Sequence, residues 1–98
     1  MVKFQLTKKA IQDLNDIWEY TIETWSESQA DDYYNMILKR CQEIAENPSF
    51  GKKYDQVKSN LSGIRANRHI IFYYSTSEDT VQIVRILHGR MDLKAEFK

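Results

Sequence analysis

The first half of the chain repeats its hydrophobic residues every three or four positions, which is the period of an amphipathic helix. One stripe comprises Ile11, Leu14, Trp18, Ile22 and Trp25, and a second comprises Ala30, Tyr33 or Tyr34, Ile37, Cys41, Ile44 and Ala45. Thr7 is the predicted N-cap of the first helix. Ser26, with Gln29 three residues later, is the predicted N-cap of the second, which Pro48 ends. The short connection predicts an antiparallel helix hairpin with Trp18 and Trp25 in the core or between the helices.

The second half carries strand patterns. The run HIIFYY at 69–74 is rich in β-branched and aromatic residues, and the polar segment STSED at 75–79 predicts a turn. The next segment, TVQIVRIL, alternates. Its pattern places Val81, Ile83, Arg85 and Leu87 on one face and Gln82, Val84, Ile86 and His88 on the other.

Two shorter strands complete the predicted sheet. Val2, Phe4 and Leu6 alternate with polar residues before the first helix, and 61–66 leads through a tight turn at Asn67 and Arg68 into HIIFYY. The polar segment between Pro48 and Leu61 predicts a loop with a helical turn over 54–58. We therefore expect one α+β domain over 1–98 in the order β-α-α-β-β-β. Its helix hairpin packs on a mostly antiparallel four-stranded sheet with HIIFYY at the centre.

Composition narrows the class of protein. With 42% hydrophobic and 29% charged residues, the 98-residue chain has the make-up of a globular domain. We expect no membrane span, because no apolar run approaches the roughly 18 residues that a span needs. We also expect no secretory signal, because the N-terminal MVKFQLTKK does not have the pattern of one. One cysteine excludes an internal disulfide and fits a cytoplasmic protein. Two histidines and one cysteine, widely separated, predict no metal site and no cofactor.

Charge is unevenly distributed although the formal net charge is zero. Residues 1–49 carry five basic and nine acidic side chains, a net charge of −4, and residues 50–98 carry nine basic and five acidic ones, a net charge of +4. This asymmetry favours an acidic ligand on the second half, although two differently solvated faces would also explain it.

Several features together resemble ParE, within the ParE/RelE superfamily of bacterial toxins. They are the β-α-α-β-β-β order, Asn47-Pro48 followed by Gly51, the strand HIIFYY, and the ending RILHGRMD at 85–92. The resemblance covers nearly the whole chain. It implies a type II toxin–antitoxin module in which a small cognate ParD-like antitoxin neutralises the toxin in a hetero-oligomeric complex. It also implies poisoning of DNA gyrase and a block of replication, whereas RelE-like relatives cleave mRNA in the ribosome.

Chemistry separates the two branches. RNA cleavage needs a base or its substitute, an acid for the leaving oxygen and cations on the phosphate, for which Arg65, Arg85 and His88 are the candidates. No tyrosine follows Leu87, whereas RelE-like members often use a C-terminal tyrosine as the acid. His88-Gly89-Arg90 with Asp92 is similar to the ParE ending, so we expect a toxin without catalytic residues. Lys52 and Lys53 suit an RNA site as well, and a non-toxic interaction module of the same fold is a further alternative.

The candidate partner-binding residues lie in the second half of the chain. They are Arg65, Arg68, His69, Tyr74, Arg85, His88 and Arg90. Each also has a structural interpretation. Arg85 is expected to bond Asp92 or a backbone carbonyl as readily as a ligand, and Gly89 to let the chain turn. An antitoxin segment is expected in an apolar cleft between the helix hairpin and the sheet.

Overall fold

A computed structural model describes residues 3–76 and 80–97. Its elements are β1 (Lys3–Leu6), α1 (Lys8–Thr24), α2 (Glu27–Glu46), a 3-10 turn (Pro48–Phe50), β2 (Lys52–Lys53), β3 (Ser62–Ala66), β4 (His69–Ser75), β5 (Thr80–His88) and α3 (Leu93–Glu96). The predicted positions of Val2 in the first strand and of 77–79 in the STSED turn lie outside the described residues. No helix of the described part is long and apolar enough to span a membrane.

The sheet has the order β1-β5-β4-β3-β2, with β1 parallel to β5 and every other pair antiparallel. This confirms the predicted α+β class, the helix hairpin and the central position of HIIFYY. The described sheet has five strands rather than four, because Lys52–Lys53, expected in a loop, pairs with β3. The expected helical turn at Tyr54 is present, since the Lys58 amide donates to the Tyr54 carbonyl.

Side-chain caps begin both long helices as predicted. The Thr7 hydroxyl accepts from the Ala10 amide at 3.1 Å, and the Ser26 hydroxyl accepts from the Gln29 amide at 3.1 Å. These bonds satisfy amides that have no partner within the helix. The α2 stripe is also confirmed, because Ala30, Ile37, Cys41, Ile44 and Ala45 are all buried. Burial raises the pKa of the Cys41 thiol to about 12, so this cysteine is a packing residue.

The predicted α1 stripe is rotated relative to the observed one. Ala10 and Leu14 are buried and Ile17 packs beside them, whereas Ile11 is exposed. Trp18 makes the expected helix–helix contact, with Nε1 donating to Asp31 Oδ1 of α2 at 3.1 Å. The expectation for Trp25 was wrong: it follows the last residue of α1 and is 62% exposed. The large side chains of the predicted stripe suggested one buried face of α1. The helix buries a different face, because the small Ala10 allows it to approach the sheet closely there.

Two apolar cores lie on opposite faces of the sheet. The first is formed by the helix hairpin with Ile71, Tyr73, Val81, Ile83 and Ile86. The second contains Leu61, Ile70, Phe72 and Leu87 and is covered by Tyr54, Val57, Leu93 and Phe97. The central strand β4 contributes to both, which explains why HIIFYY is hydrophobic throughout.

A register shift in β5 changes the predicted alternation. Phe72 pairs with Arg85 but Tyr73 pairs with Ile83, so Val84 is the extra residue of a bulge. After the bulge, Ile86 joins Val81 and Ile83 in the first core, and Leu87 lies in the second. The predicted faces are therefore wrong beyond Ile83, because one inserted residue exchanges the faces of all that follow.

Candidate functional site

The ends of β3, β4 and β5 meet at one edge of the sheet and bring five candidate residues together. Asn67 adopts a φ of 59°, which reverses the chain between β3 and β4, and His69 pairs with His88 across the sheet. The Gly89 amide then donates to the Arg68 carbonyl at 3.0 Å. Arg65, Arg68, His69, His88 and Arg90 consequently lie around this corner.

One cavity at this corner is basic, and we call it the arginine cavity. It has a volume of about 460 Å³ and is lined by Arg65, Arg68, His88, Gly89 and Arg90. The ion pairs among the described residues are Arg40–Glu43, Arg85–Asp13 and Arg85–Glu96. The three arginines of the cavity therefore have no carboxylate partner in the described chain. Asp92, the acidic residue next to this corner in sequence, instead caps α3 by accepting from the Ala95 amide at 3.4 Å.

Gly89 determines where the Arg65 side chain lies. A Cβ atom at position 89 would be 3.0 Å from Arg65 Nη2 and 3.3 Å from Nη1, so the guanidinium occupies the space that a side chain would take. Gly89 does not have a positive φ, so the expected turning role is not what requires glycine here. The Arg65 guanidinium also donates through Nη1 to the Asn67 carbonyl at 3.3 Å.

The two histidines are in contact but differ in their surroundings. Their ring centroids are 5.4 Å apart in an edge-to-face arrangement. Burial lowers the pKa of His69 to about 4, with smaller contributions from His88 and Arg68, while Asp13 opposes the shift. His69 is therefore neutral near pH 7. His88 Nδ1 accepts from the Arg90 amide at 3.2 Å, which leaves Nε2 to carry the hydrogen of a neutral ring.

Tyr33 connects α2 to this corner, and the sequence pattern left its role open. Its hydroxyl lies 2.7 Å from His69 Nδ1 and accepts from the Arg68 amide at 3.3 Å. It is also 3.4 Å from the Ala66 carbonyl, and burial raises its pKa. The hydroxyl thus fixes the β3–β4 turn against the helix hairpin. A tyrosine in a helical stripe gives no signal of such a contact, because the partners are more than 30 residues away.

A second cavity adjoins the first, and we call it the apolar groove. It has a volume of about 650 Å³ and lies between the connected end of the helix hairpin and the β3–β4 turn, with Ile17, Tyr20, Trp25 and Tyr33 among its lining residues. Arg68 and His88 line both cavities, so groove and arginine cavity are continuous. Tyr20 is 66% exposed and Trp25 is 62% exposed. The groove matches the predicted cleft in location, but the exposure of Trp25 was not predicted.

Arg85 lies apart from both cavities. Its Nε and Nη2 donate to the two carboxylate oxygens of Asp13 at 2.7 and 3.0 Å, and the same carboxylate accepts from the Ile86 amide at 3.0 Å. Nη2 also bonds Glu96 Oε1, and Nη1 donates to the Glu96 carbonyl, both at 3.2 Å. The expected backbone-carbonyl bond is therefore present, but the expected partner Asp92 is replaced by Asp13.

The remaining candidate, Tyr74, also lies outside both cavities. It pairs with Gln82 towards the other end of β4 and packs against the second core. Within the described part of the chain, no group of three or more His, Cys, Asp or Glu side chains is placed to hold a metal ion.

Comparison with known proteins places this fold in a family. The family model "ParE toxin of type II toxin-antitoxin system, parDE" matches residues 4–93. The chain is 32% identical over 91 residues to "Toxin ParE1" of Mycobacterium tuberculosis (strain ATCC 25618 / H37Rv), covering 93% of each. It is 30% identical over 95 residues to "Toxin ParE1" of Caulobacter vibrioides, covering 97% of each. A solved structure, "Chromosomal ParDE TA system from P. aeruginosa", superposes with a TM-score of 0.77 at 16% identity, over 90% of this chain and 96% of that chain.

Proposed function

The chain belongs to the ParE toxin family of type II toxin–antitoxin systems, and from this premise we propose that it poisons DNA gyrase and is held inactive by a cognate ParD-like antitoxin. The observation that carries the proposal is the family match over residues 4–93, which spans both cavities. The proposed site of action is the cytoplasm, where gyrase works.

Binding without catalysis is the proposed mode of action. The nuclease alternative needs Arg65, Arg85 and His88 to act on one phosphate. Arg65 and His88 line the arginine cavity, but the Arg85 guanidinium is bonded to Asp13 and Glu96 and does not line it. These placements favour a toxin that acts through its surface.

The apolar groove is the proposed antitoxin site. Tyr20 and Trp25 expose large apolar surfaces there, and exposed aromatic side chains of this kind serve as anchors in protein interfaces. A helical or extended antitoxin segment lying in the groove would cover both side chains and bring its acidic residues towards Arg68.

The target is tested with purified gyrase and relaxed plasmid DNA. We expect the toxin to inhibit supercoiling and to trap cleaved DNA, and we expect equimolar antitoxin to reverse both effects. Gyrase that supercoils normally at a large excess of toxin would contradict the proposed target. Codon-linked cleavage of translated mRNA, abolished by His88→Ala, would replace it with the nuclease function.

The antitoxin site is tested with Trp25→Ala, and Phe50→Ala is a matched control because Phe50 is 78% exposed and does not line the groove. We expect Trp25→Ala to weaken antitoxin binding by about 30-fold, as loss of an interface anchor does, and Phe50→Ala to leave it within about twofold. Equal effects of the two variants, measured by calorimetry, would place the antitoxin elsewhere.

A further inference from the structure

We propose that the arginine cavity is a binding site for a phosphate group. The site goes beyond the toxin assignment and does not depend on it. Three arginines line a volume of about 460 Å³ whose lining contains no acidic residue. Like charges repel, so a ligand of opposite charge is favoured where three of them line one cavity.

The number of arginines favours phosphate over carboxylate. This molecule shows how it accommodates carboxylates: a single guanidinium, that of Arg85, holds Asp13 through two bonds and Glu96 through a third. A carboxylate has two oxygens and one negative charge, which one guanidinium fork satisfies. A phosphate group presents more oxygens around one centre and accepts from several forks at once, so the Arg65, Arg68 and Arg90 cluster fits it better.

Gly89 is the second feature of a built site. The missing side chain at position 89 leaves room for the Arg65 guanidinium directly against the backbone, 3.0 Å from where a Cβ would stand. The Asn67 carbonyl then fixes the orientation of that guanidinium. A diffuse basic surface needs neither contact. The His88 ring, whose Nδ1 accepts from the Arg90 amide, forms part of the wall that the two cavities share.

The first experiment titrates the full chain with inorganic phosphate and follows the backbone amides and the arginine Nε–H signals by NMR. We expect saturable shifts at Gly89, Arg65, Arg68 and Arg90, and none at Arg85, whose donors are already bonded within the chain. Shifts that do not saturate, or that occur equally at Arg85, would overturn the proposal.

Three variants separate built geometry from charge. Arg65→Gln/Arg68→Gln/Arg90→Gln should abolish the response, whereas Lys39→Gln/Lys53→Gln/Lys58→Gln removes three exposed positive charges outside the cavity and should not. Gly89→Ala keeps every charge but displaces the Arg65 guanidinium, so it should weaken phosphate binding about tenfold, the loss of roughly one hydrogen bond to a charged group. Unchanged affinity in Gly89→Ala would contradict a built site.

The phosphate has two possible sources, a small phosphorylated molecule or a nucleic-acid backbone. Binding of a single-stranded DNA of about twelve nucleotides, measured by fluorescence anisotropy over a range of salt, distinguishes them. A backbone ligand predicts tighter binding than inorganic phosphate and a salt slope that falls by about 2 in the triple arginine variant. A small ligand predicts no gain from the oligonucleotide. A glutamate-rich peptide that binds through the same arginines, without competition from phosphate, would overturn the proposal in favour of an acidic protein partner.

Discussion

Strand β5 and the residues just after it present arginines in two opposite situations. Arg85, in the middle of the strand, is 14% exposed and bonded to Asp13 and Glu96. Arg90, beyond the strand end, is exposed and shares a cavity with Arg65 and Arg68, without a carboxylate partner among the described residues. Removing a charge from water is costly unless a counter-charge accompanies it, so the chain supplies counter-charges for Arg85. At the exposed arginine cavity it leaves the charges available for a ligand.

The bulge at Val84 explains why Arg85 needs partners at all. It interrupts β5 just where β1 has ended, so the outer edge of β5 is no longer paired beyond Ile83. Thr7 and Asp13 take over this edge, the Thr7 hydroxyl donating to the Val84 carbonyl at 3.1 Å and the Asp13 carboxylate accepting from the Ile86 amide. Arg85 then balances the charge of Asp13. The ion pair is therefore part of how α1 is attached to the sheet.

The largest expected effect is that of Arg85→Ala on stability. The substitution leaves the Asp13 carboxylate, 12% exposed, without its counter-charge, and we expect a loss of about 3 kcal/mol in the free energy of unfolding. Arg40→Ala is the control, because the Arg40–Glu43 pair is 47% and 50% exposed and should contribute no more than about 0.5 kcal/mol. Urea unfolding measures both. Similar losses in the two variants would show that Arg85 is an ordinary surface charge.

The next largest expected effect on stability is the difference between alanine substitutions at two glycines. A Cβ at Gly63 would lie 2.8 Å from the Tyr54 ring and 3.1 Å from Ile70 in the second core, so Gly63→Ala should cost about 2 kcal/mol through overpacking. At Gly89 the nearest atoms belong to the end of the flexible Arg65 side chain, so Gly89→Ala should cost less than about 0.5 kcal/mol. Thermal unfolding compares them. A large loss in Gly89→Ala would mean that the Arg65 guanidinium supports the fold.

The lowered pKa of His69 predicts that the stability of the protein depends on pH. This pKa is about 4 in the folded chain and has its ordinary value of 6.5 in the unfolded chain, so between pH 4 and 6.5 the unfolded chain binds the proton more readily. Stability should therefore fall as the pH is lowered from 6.5 towards 4, by on the order of 1 kcal/mol after allowing for the partial exposure of the ring. His69→Gln should flatten the dependence between pH 7 and 5. An unchanged slope in that variant would assign the dependence to other groups.

Local sequence patterns predicted the parts of this fold that depend on neighbouring residues. The Thr7 and Ser26 caps, the α2 stripe and the turn at Asn67 follow from side chains within four positions of one another. The gathering of Arg68, His69, His88 and Arg90 also follows, because an antiparallel pair places the end of one strand beside the start of the other.

Contacts between distant segments account for what the sequence did not predict. The bulge at Val84 has no local signal, and it is what gives Arg85 its partners 72 positions away in α1 and 11 positions on in α3. The choice of α1 face depended on how closely Ala10 lets the helix approach the sheet. The apolar groove depends on where the hairpin ends relative to the β3–β4 turn, which the Tyr33 hydroxyl fixes.

The smallest expected effect is also the one that separates the two arginine sites most directly. Arg65→Gln/Arg68→Gln/Arg90→Gln removes three neighbouring like charges that have no carboxylate partner in the described chain, so the free energy of unfolding should change by less than about 0.5 kcal/mol. Added phosphate should stabilise the natural chain, because a ligand that binds only the folded state raises stability with its concentration. It should not stabilise the triple variant.

Arg85→Ala, although far less stable, should keep the full response to phosphate, since its cavity arginines are intact. Thermal unfolding of the three proteins over a range of phosphate, at constant ionic strength, tests this. A phosphate response lost in Arg85→Ala but retained in the triple variant would reverse the assignment of the two sites.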